Sequence, residues 1–297
     1  MKFVVTGGAG FIGNNIVRNL LEKGHTVDIV DNMHTGKIKN LSDIKKDISL
    51  HKIDIRNFYE LEKILRNSDG VFHQAALTVV QESYEKTKEY FDVNVNGTKN
   101  IFKIAKKYNL KVIFASSSSV YGNTTKVPIK ENFSRKPINP YGETKLQDEF
   151  LAEKYSKFID VIGLRYFNVY GKGQTKTYAG VITKFMNRLS KKKQPIIFGN
   201  GLQKRDFIFV EDIAEANVRV MLSKLKDGFF NVGTGKSITI NSLAKTMISL
   251  YGLDISPIFS NPLEGDVKDS QADISLLKNK INWTSKIKLK KGLETLI

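Results

Sequence analysis

The chain has 297 residues, of which 41% are hydrophobic, and a formal net charge of +17. This length and hydrophobic content suit one large domain or two modest ones with a substantial core. The absence of cysteine excludes disulfides, thiolate metal sites and cysteine nucleophiles, and the four histidines show no metal-ligand spacing.

The excess positive charge comes mostly from lysine, because arginine supplies only eight of the 47 basic residues. The basic runs 191–193 and 286–291 are short and contain no aromatic residue, so a solvated surface is favoured over nucleic-acid binding. A positive field would still attract an anionic substrate. No apolar run approaches the roughly 18 residues of a membrane helix, and Met1 leads straight into Lys2–Gly10 rather than into a signal peptide. We therefore expect a cytoplasmic protein with no membrane partner.

Strands and helices alternate along the first half of the chain. The predicted strands are Lys2–Val5, Thr26–Val30, Leu50–Ile53, Gly70–His73, Lys111–Phe114 and Asp160–Leu164. The first intervening helix, Phe11–Gly24, has Ile12, Ile16 and Leu20 at helical spacing. This alternation predicts an α/β fold with a doubly wound parallel sheet covered by helices on both faces.

The alternation loosens from about Gly171 onward. A polar, glycine-rich loop over 170–180 is followed by a predicted helix at 181–190 and a last one near 240–252. No Pro/Ser-rich linker separates this part from the rest. It is therefore predicted to form a smaller, closely packed C-terminal domain.

The first predicted strand runs into TGGAGFIG, which has glycines at 7, 10 and 13. Such glycines allow a tight turn, close approach of the backbone to a diphosphate, and close packing of the helix on the strand. Asp31 ends the next strand, where a carboxylate accepts hydrogen bonds from ribose hydroxyls. Because Asp31 would repel a 2'-phosphate, a Rossmann-type site for NAD rather than NADP is predicted. Glycines that serve only a tight turn are the alternative.

Tyr141 and Lys145 lie four residues apart behind Pro140, which predicts that they share one face in the first turns of a helix. A cation beside a phenol favours the phenolate, the form that a general base requires at neutral pH. Four serines, Ser116–Ser119, leave the predicted strand at Lys111–Phe114 through its carboxyl end, where open α/β sheets bind ligands. An ordinary helix face and a polar strand end are the alternatives.

These motifs together resemble the extended short-chain dehydrogenase/reductases of the NAD-dependent epimerase/dehydratase family, and within it the 4-epimerases of UDP-glucose. The matching segments keep the family's order and spacing. They are 6–13, 31–32, 54–55, 73–77, 94–98, 116–122, 141–145, 165–171, 199–214 and 231–235. The resemblance implies an NAD-binding domain over 1–168, which also takes segments near 205–235, and a discontinuous nucleotide-sugar domain over 169–297. It also implies a homodimer formed through helices at 83–107 and 141–158.

The resemblance assigns catalysis to three residues: Ser117 as the hydroxyl on the sugar oxygen, Tyr141 as the base, and Lys145 beside the phenol and the nicotinamide ribose. It implies that NAD is lined by Gly7, Gly10, Phe11, Ile12, Gly13, Asp31, Asn32, Asp54, Ile55, Gln74, Ala75, Ala76, Thr78, Tyr141, Lys145, Tyr166 and Phe167. For a UDP-sugar substrate it implies Ser117 and Ser118 beside the sugar, Asn168 and Arg205 on the diphosphate, and Phe198 at the uracil.

Three of these residues have structural alternatives. Asp54 could cap the following helix, Arg205 could pair with Asp206 or Glu211, and Phe198 could belong to the core.

The reaction implied is inversion at C4 through a 4-keto sugar, with the hydride held by NAD in between. Relatives that dehydrate place Asp-Glu directly after the catalytic hydroxyl, and a carboxylate is expected there in decarboxylases, whereas this chain has Ser118 and Ser119. Dehydratase, decarboxylase and reductase activities, or a catalytically silent NAD-binding relative, are the alternatives.

Two positions depart from the family pattern. Leu263 stands where the family has an arginine for the second phosphate, and Lys268 is the nearby cation that could replace it. Ser270 falls where some epimerases have tyrosine and others a small residue. A small side chain there predicts that N-acetylhexosamine nucleotides are accepted beside plain hexoses.

Overall fold

The computed structural model describes residues 1–124, 126–174, 180–263 and 267–297. Part of the predicted loop over 170–180, and the Glu-Gly-Asp segment after Leu263, lie outside the described residues. The strands are β1 (Lys2–Thr6), β2 (Thr26–Val30), β3 (Ile48–His51), β4 (Gly70–His73), β5 (Lys111–Ser117), β6 (Val161–Tyr166), β7 (Asn168–Tyr170), β8 (Ile196–Phe198), β9 (Lys204–Arg205), β10 (Phe207–Phe209), β11 (Asp227–Val232), β12 (Ile238–Thr239) and β13 (Ile258–Ser260).

The helices lie between these strands, except for the last two, which follow β13. They are α1 (Phe11–Glu22), α2 (Phe58–Leu65), α3 (Val80–Glu85), α4 (Thr87–Tyr90), α5 (Gly97–Tyr108), α6 (Pro140–Tyr155), α7 (Val181–Leu189), α8 (Val210–Leu222), α9 (Ile240–Leu250), α10 (Ser275–Ile281) and α11 (Leu289–Glu294). Two 3-10 helices, Ile38–Leu41 and Ser118–Tyr121, and a π-helical segment, Phe91–Asn96, complete them. In the part of the chain that the structure describes, none of the helices has the length and hydropathy of a membrane span.

Seven parallel strands form the central sheet in the order β11-β6-β5-β4-β1-β2-β3. Its strands are apolar on both sides because helices cover both faces. On β1, Phe3 and Val5 pack into the layer under α1 and α8, whereas Val4 between them packs into the layer under α2 and α5. The fold is therefore the predicted Rossmann-type doubly wound sheet.

The C-terminal part adds β11 to this sheet and α8 to its α1 side. The remaining strands form three two-stranded sheets, β10-β7, β12-β9 and β13-β8. A separate apolar core joins α7, α9 and α11 through Phe185, Leu243, Met247 and Leu293. The helices of this core follow β6 in the chain. The carboxyl end of β6 belongs to the edge where a doubly wound sheet binds ligands.

Most predicted elements are found within one or two residues of the predicted bounds, and three differences are described here. The third strand is Ile48–His51, two residues earlier than predicted, in register with β2. β5 continues to Ser117 because Ala115–Ser117 pair with Leu164–Tyr166 of β6. The helix near 240–252 is not the last, since α10 and α11 follow it.

The two additional helices are short, so neither shows a strong helical period in the sequence. α11 also contains Gly292, which is required because a Cβ there would lie 2.2 Å from the Tyr170 hydroxyl. α10 packs on β11 and buries Leu277 in the main core.

Candidate active site

The glycine turn between β1 and α1 forms one wall of a cavity of about 470 Å³. Gly7 has φ +69°, and a Cβ there would lie 2.8 Å from the Ala75 nitrogen. A Cβ on Gly13 would lie 2.1 Å from the Gly7 oxygen, so that position also admits no side chain. Gly10, at the helix N-terminus, supplies no side-chain cap. The first N–H groups of α1 therefore have no side-chain partner there and suit a phosphate.

Asp31 closes the far end of this cavity. It is buried, and its two oxygens accept backbone N–H groups from Ala9 at 3.0 Å and from Met33 at 2.8 Å. Burial raises the pKa of Asp31, while these two hydrogen bonds oppose the rise. A carboxylate oxygen can accept more than one hydrogen bond, so the group can still receive ribose hydroxyls. The glycine turn and Asp31 together fit a dinucleotide.

Ser117 ends β5 at the rim of the same cavity. Its hydroxyl accepts from the Ser119 nitrogen at 3.1 Å and donates to the Ser119 hydroxyl at 3.0 Å. Ser116, the preceding residue, donates at 2.6 Å to Glu149, which is fully buried in the layer under α6. Because successive strand residues point to opposite faces, the Ser116 and Ser117 hydroxyls lie on opposite sides of the sheet, although both residues border the cavity.

Tyr141 and Lys145 reach the cavity from the first turns of α6. Asn139 caps this helix by accepting from the Gly142 nitrogen at 2.8 Å, and Pro140 occupies its first turn. The Tyr141 nitrogen donates to the Ser83 hydroxyl at 3.2 Å, which ties the helix start to α3. The predicted catalytic residues Ser117, Tyr141 and Lys145 thus line one cavity with the glycine turn.

A second cavity of about 370 Å³ adjoins the first, since Asn168 and Gly180 line both. Its walls include the predicted substrate residues Ser118, Asn168, Phe198, Arg205 and Ser270. β5 ends where the two cavities meet, because Ser117 lines the first and Ser118 lines the second. A molecule in the second cavity would therefore end close to Ser117.

Residues 3–233 match the model of the NAD dependent epimerase/dehydratase family. The chain belongs to this family. A UDP-N-acetylglucosamine 4-epimerase from Methanobrevibacter ruminantium M1, solved with UDP-N-acetylmuramic acid, is 38% identical with a TM-score of 0.94, over 99% of this chain and 96% of that one. A UDP-glucose 4-epimerase from Thermotoga maritima, solved with UDP-glucose, is 34% identical with a TM-score of 0.94 over the same shares.

A third relative carries a different activity in its name. A UDP-N-acetyl-alpha-D-glucosaminuronate decarboxylase from Bacillus cytotoxicus is 31% identical over 100% of this chain and 96% of its own length. The cofactor of this epimerase/dehydratase family member is NAD. The protein is an enzyme that resembles the UDP-sugar 4-epimerases, which are isomerases.

The first cavity gathers all but one of the residues predicted for NAD. Those that line it are Gly7, Gly10, Phe11, Ile12, Gly13, Asp31, Asn32, Ile55, Gln74, Ala75, Ala76, Thr78, Tyr141, Lys145, Tyr166 and Phe167. The exception is Asp54. Its carboxylate pairs with Arg56 at 2.8 Å and accepts from Asn32 at 3.1 Å.

The Arg56 guanidinium lowers the pKa of Asp54 to about 2, so the carboxylate is charged. The cap of α2 is Asn57 rather than Asp54, and it accepts from the Glu60 nitrogen. The structure therefore places Asp54 behind Asn32 and Arg56, which themselves line the cavity.

Arg205 and Phe198 both line the second cavity. Arg205 donates to the Lys204 oxygen at 2.8 Å, while the Asp206 carboxylate is taken by the backbone of Thr234 and neighbouring residues. Phe198 is half-buried and lines the second cavity. Both side chains are therefore placed where a ligand can reach them.

Two residues at or near the site are not among the predicted site residues. Lys184 on α7 lines the second cavity, whereas Lys268 is not among the described residues that line it. Arg165 on β6 lies beside Ser116 in the sheet and pairs with Glu149 at 2.8 Å. The helical spacing of α7 could have indicated that Lys184 faces the cavity. The contact of Arg165 with α6 could not be read from spacing, because it depends on the folded sheet.

Proposed function

We propose that this enzyme inverts C4 of UDP-glucose and UDP-galactose through a transient 4-keto sugar, and that it also accepts UDP-GlcNAc and UDP-GalNAc. The observation that carries the proposal is the junction of the two cavities at the end of β5. There Ser117 and Tyr141 line the glycine-turn cavity while Ser118 opens into the cavity next to it. This arrangement would bring a sugar held in the second cavity to the base and to the dinucleotide.

NAD, when bound in the first cavity, would supply the hydride acceptor and donor for C4. Tyr141 takes the proton of the 4'-hydroxyl, and Ser117 hydrogen-bonds the same oxygen. Lys145, a buried cation on the same helix face, would lie beside the phenol and hold the nicotinamide ribose. If the 4-keto sugar rotated in the site and presented its other face, Tyr141 would return the proton to the C4 oxygen and the product would have the opposite configuration. The overall change is redox-neutral, so no external oxidant is needed.

The second cavity supports epimerisation over elimination or decarboxylation. Loss of water across C5 and C6 requires an acid and a base beside the ring, and those are carboxyl groups in dehydrating relatives. Here Ser118 and Ser119 occupy the corresponding positions, and the described residues that line this cavity include no Asp or Glu. A serine hydroxyl is neither an acid nor a base of the required strength near neutral pH.

The nucleotide would lie in the second cavity with its diphosphate on Asn168 and Arg205 and its base against Phe198. Leu263 lines this cavity where the family has an arginine, and Lys184 is a cation on the same wall. A lysine would hold a phosphate as a point charge rather than as a bidentate fork. The positive charge of the chain adds a general attraction for the anion.

Domain and oligomer assignments follow the same proposal. We assign the NAD domain to 1–168 with segments near 205–235, since β11 and α8 complete the sheet layer, and we assign the sugar domain to the rest.

A homodimer would form through α3–α5 and α6. The exposed faces of these helices include Tyr84, Phe150 and, beyond α6, Phe158.

The experiment is incubation of purified enzyme, without added cofactor, with each of the four UDP-sugars, followed by proton NMR of the C4 configuration. Interconversion of at least one pair is expected, and Tyr141→Phe should abolish it while Tyr108→Phe, whose hydroxyl bonds the distant Glu62, should not. No interconversion, even with NAD added, would remove the 4-epimerase assignment for these sugars.

A further inference from the structure

The helix face that carries Tyr141 and Lys145 continues to a third polar residue, Asp148. The spacing i, i+4 and i+7 places the three side chains along one face of α6. Lys145 and Asp148 are both buried, with 3% and 0% of their surface exposed. The Lys145 ammonium lies 3.2 Å from Asp148 Oδ2. A second charge thus contacts the cation that the reaction needs beside the phenol.

Polar groups from α5 and two strands lie behind Asp148. The Thr98 hydroxyl on α5 favours the charged form of the Asp148 carboxylate and lies 2.8 Å from His73 Nε2 on β4. His73 Nδ1 lies 2.7 Å from the Thr6 hydroxyl on β1. Burial and the nearby Lys145 ammonium lower the pKa of His73 to about 3, so its ring is neutral.

The remaining charges near Asp148 are balanced by other partners. Glu149 is the adjacent carboxylate, and it forms ion pairs with Arg165 on β6 at 2.8 Å and with Arg135 at 3.0 Å. Lys145 is therefore the cation left to offset Asp148, while Asp148 Oδ1 has no hydrogen-bond partner among the described residues. Burial raises the pKa of Asp148 to about 6, which leaves the group mostly ionised at pH 7. A buried charge supported by one ion pair and one hydroxyl is costly, so this carboxylate is not explained by packing alone.

We propose that Asp148 is a positioning residue that anchors the Lys145 ammonium and offsets part of its charge, and thereby sets the pH at which Tyr141 acts as the base. The inference rests on the proposed function for the role of Tyr141. Without Asp148, the ammonium would act on the phenol alone and the phenolate would form at lower pH.

The size of the effect follows from the helix. Seven residues separate Tyr141 from Asp148, which is roughly 10 Å along the axis. Two unit charges at that distance, at an effective dielectric constant of about 20, shift an ionisation by about 1 pH unit. Partial screening by solvent reduces this to about 0.5–1 unit.

The test is a pH titration of tyrosinate absorbance in the NAD-bound enzyme. The difference between wild type and Tyr141→Phe isolates the Tyr141 signal. The same difference is then measured between Asp148→Asn and the double variant Asp148→Asn/Tyr141→Phe. The midpoint is expected to fall by about 0.5–1 unit in the Asn background. The acid limb of the kcat profile should move by the same amount, with KM for the UDP-sugar changed less than about twofold.

Glu153→Gln is the matched control, because it removes a carboxylate from the exposed end of the same helix, and it should leave the midpoint in place. If Asp148→Asn does not fold, Asp148→Ser removes the same charge and leaves room for water. An unchanged midpoint in a folded, charge-neutral variant would overturn the proposal. Because the absorbance needs no turnover, a shifted midpoint in an enzyme that fails to epimerise would uphold this role and reject only the proposed function.

Discussion

The Arg165 guanidinium and the Glu149 carboxylate form a bidentate pair beneath the catalytic edge of the sheet. Nε donates to Oε1 and Nη2 to Oε2, each at 2.8 Å, and both side chains are buried. Ser116 donates to the same carboxylate at 2.6 Å, so the pair also holds the strand residue that precedes Ser117. The pair thus joins β6, α6 and the end of β5.

Glu149→Gln should destabilise the protein by about 3–5 kcal/mol, because it leaves the Arg165 charge buried without its partner. The free energy of unfolding from urea denaturation measures this. Glu153→Gln is the control on the same helix. Glu153 pairs with Arg135, which also contacts Glu149, but Glu153 is exposed, so its loss should cost less than about 1 kcal/mol. Equal losses in the two variants would show that the buried pair contributes no special stability.

Leu263→Arg should strengthen substrate binding. A guanidinium at this wall of the second cavity can form a bidentate contact with a phosphate, and a hydrogen bond to a charged group contributes about 1.5–3 kcal/mol. KM for the UDP-sugar should therefore fall by about tenfold or more. Leu202→Arg adds the same charge at an exposed leucine outside the described lining of the cavity and should change KM little. Similar KM values in both variants would place the diphosphate elsewhere.

Ser270→Tyr should narrow the range of substrates. Ser270 is buried on the wall of the second cavity, and a tyrosine there would fill space that a 2-acetamido group needs. Turnover of UDP-GlcNAc should fall by about tenfold or more relative to UDP-glucose, as expected when a pocket is filled. The ratio of kcat/KM for the two sugars measures it. An unchanged ratio would contradict the proposal that Ser270 determines whether N-acetylated sugars are accepted.

His73 should make the fold sensitive to acid. Its folded pKa of about 3 lies below the ordinary 6.5, so the neutral ring contributes stability that is present above pH 6.5 and lost as the pH falls toward 3. Between pH 7 and pH 4 this loss amounts to about 3 kcal/mol. His73→Gln cannot take up a proton, so its free energy of unfolding should fall less over that range. Parallel curves for the two proteins would contradict the assignment.

The sequence predicts those parts of the site that depend on neighbouring residues. The glycine turn, Asp31 at a strand end, and Tyr141 with Lys145 on one helix face each follow from local spacing, and the alternation of strand and helix predicts the sheet. The pairing of Arg165 with Glu149 joins residues 16 positions apart on different elements. It could not be predicted because it depends on how α6 packs across the sheet. α10 and α11 were missed for a related reason, since tertiary packing rather than periodicity stabilises such short helices.

The most direct test of the central claim is epimerisation of UDP-glucose that carries deuterium at C4, without added NAD. A hydride that leaves C4 and returns to the opposite face is never exchanged with solvent. UDP-galactose should therefore form with its deuterium retained at C4, as proton NMR would show. Loss of the deuterium to solvent, or conversion only when NAD is supplied in proportion to product, would contradict a redox-neutral inversion through a transient 4-keto sugar.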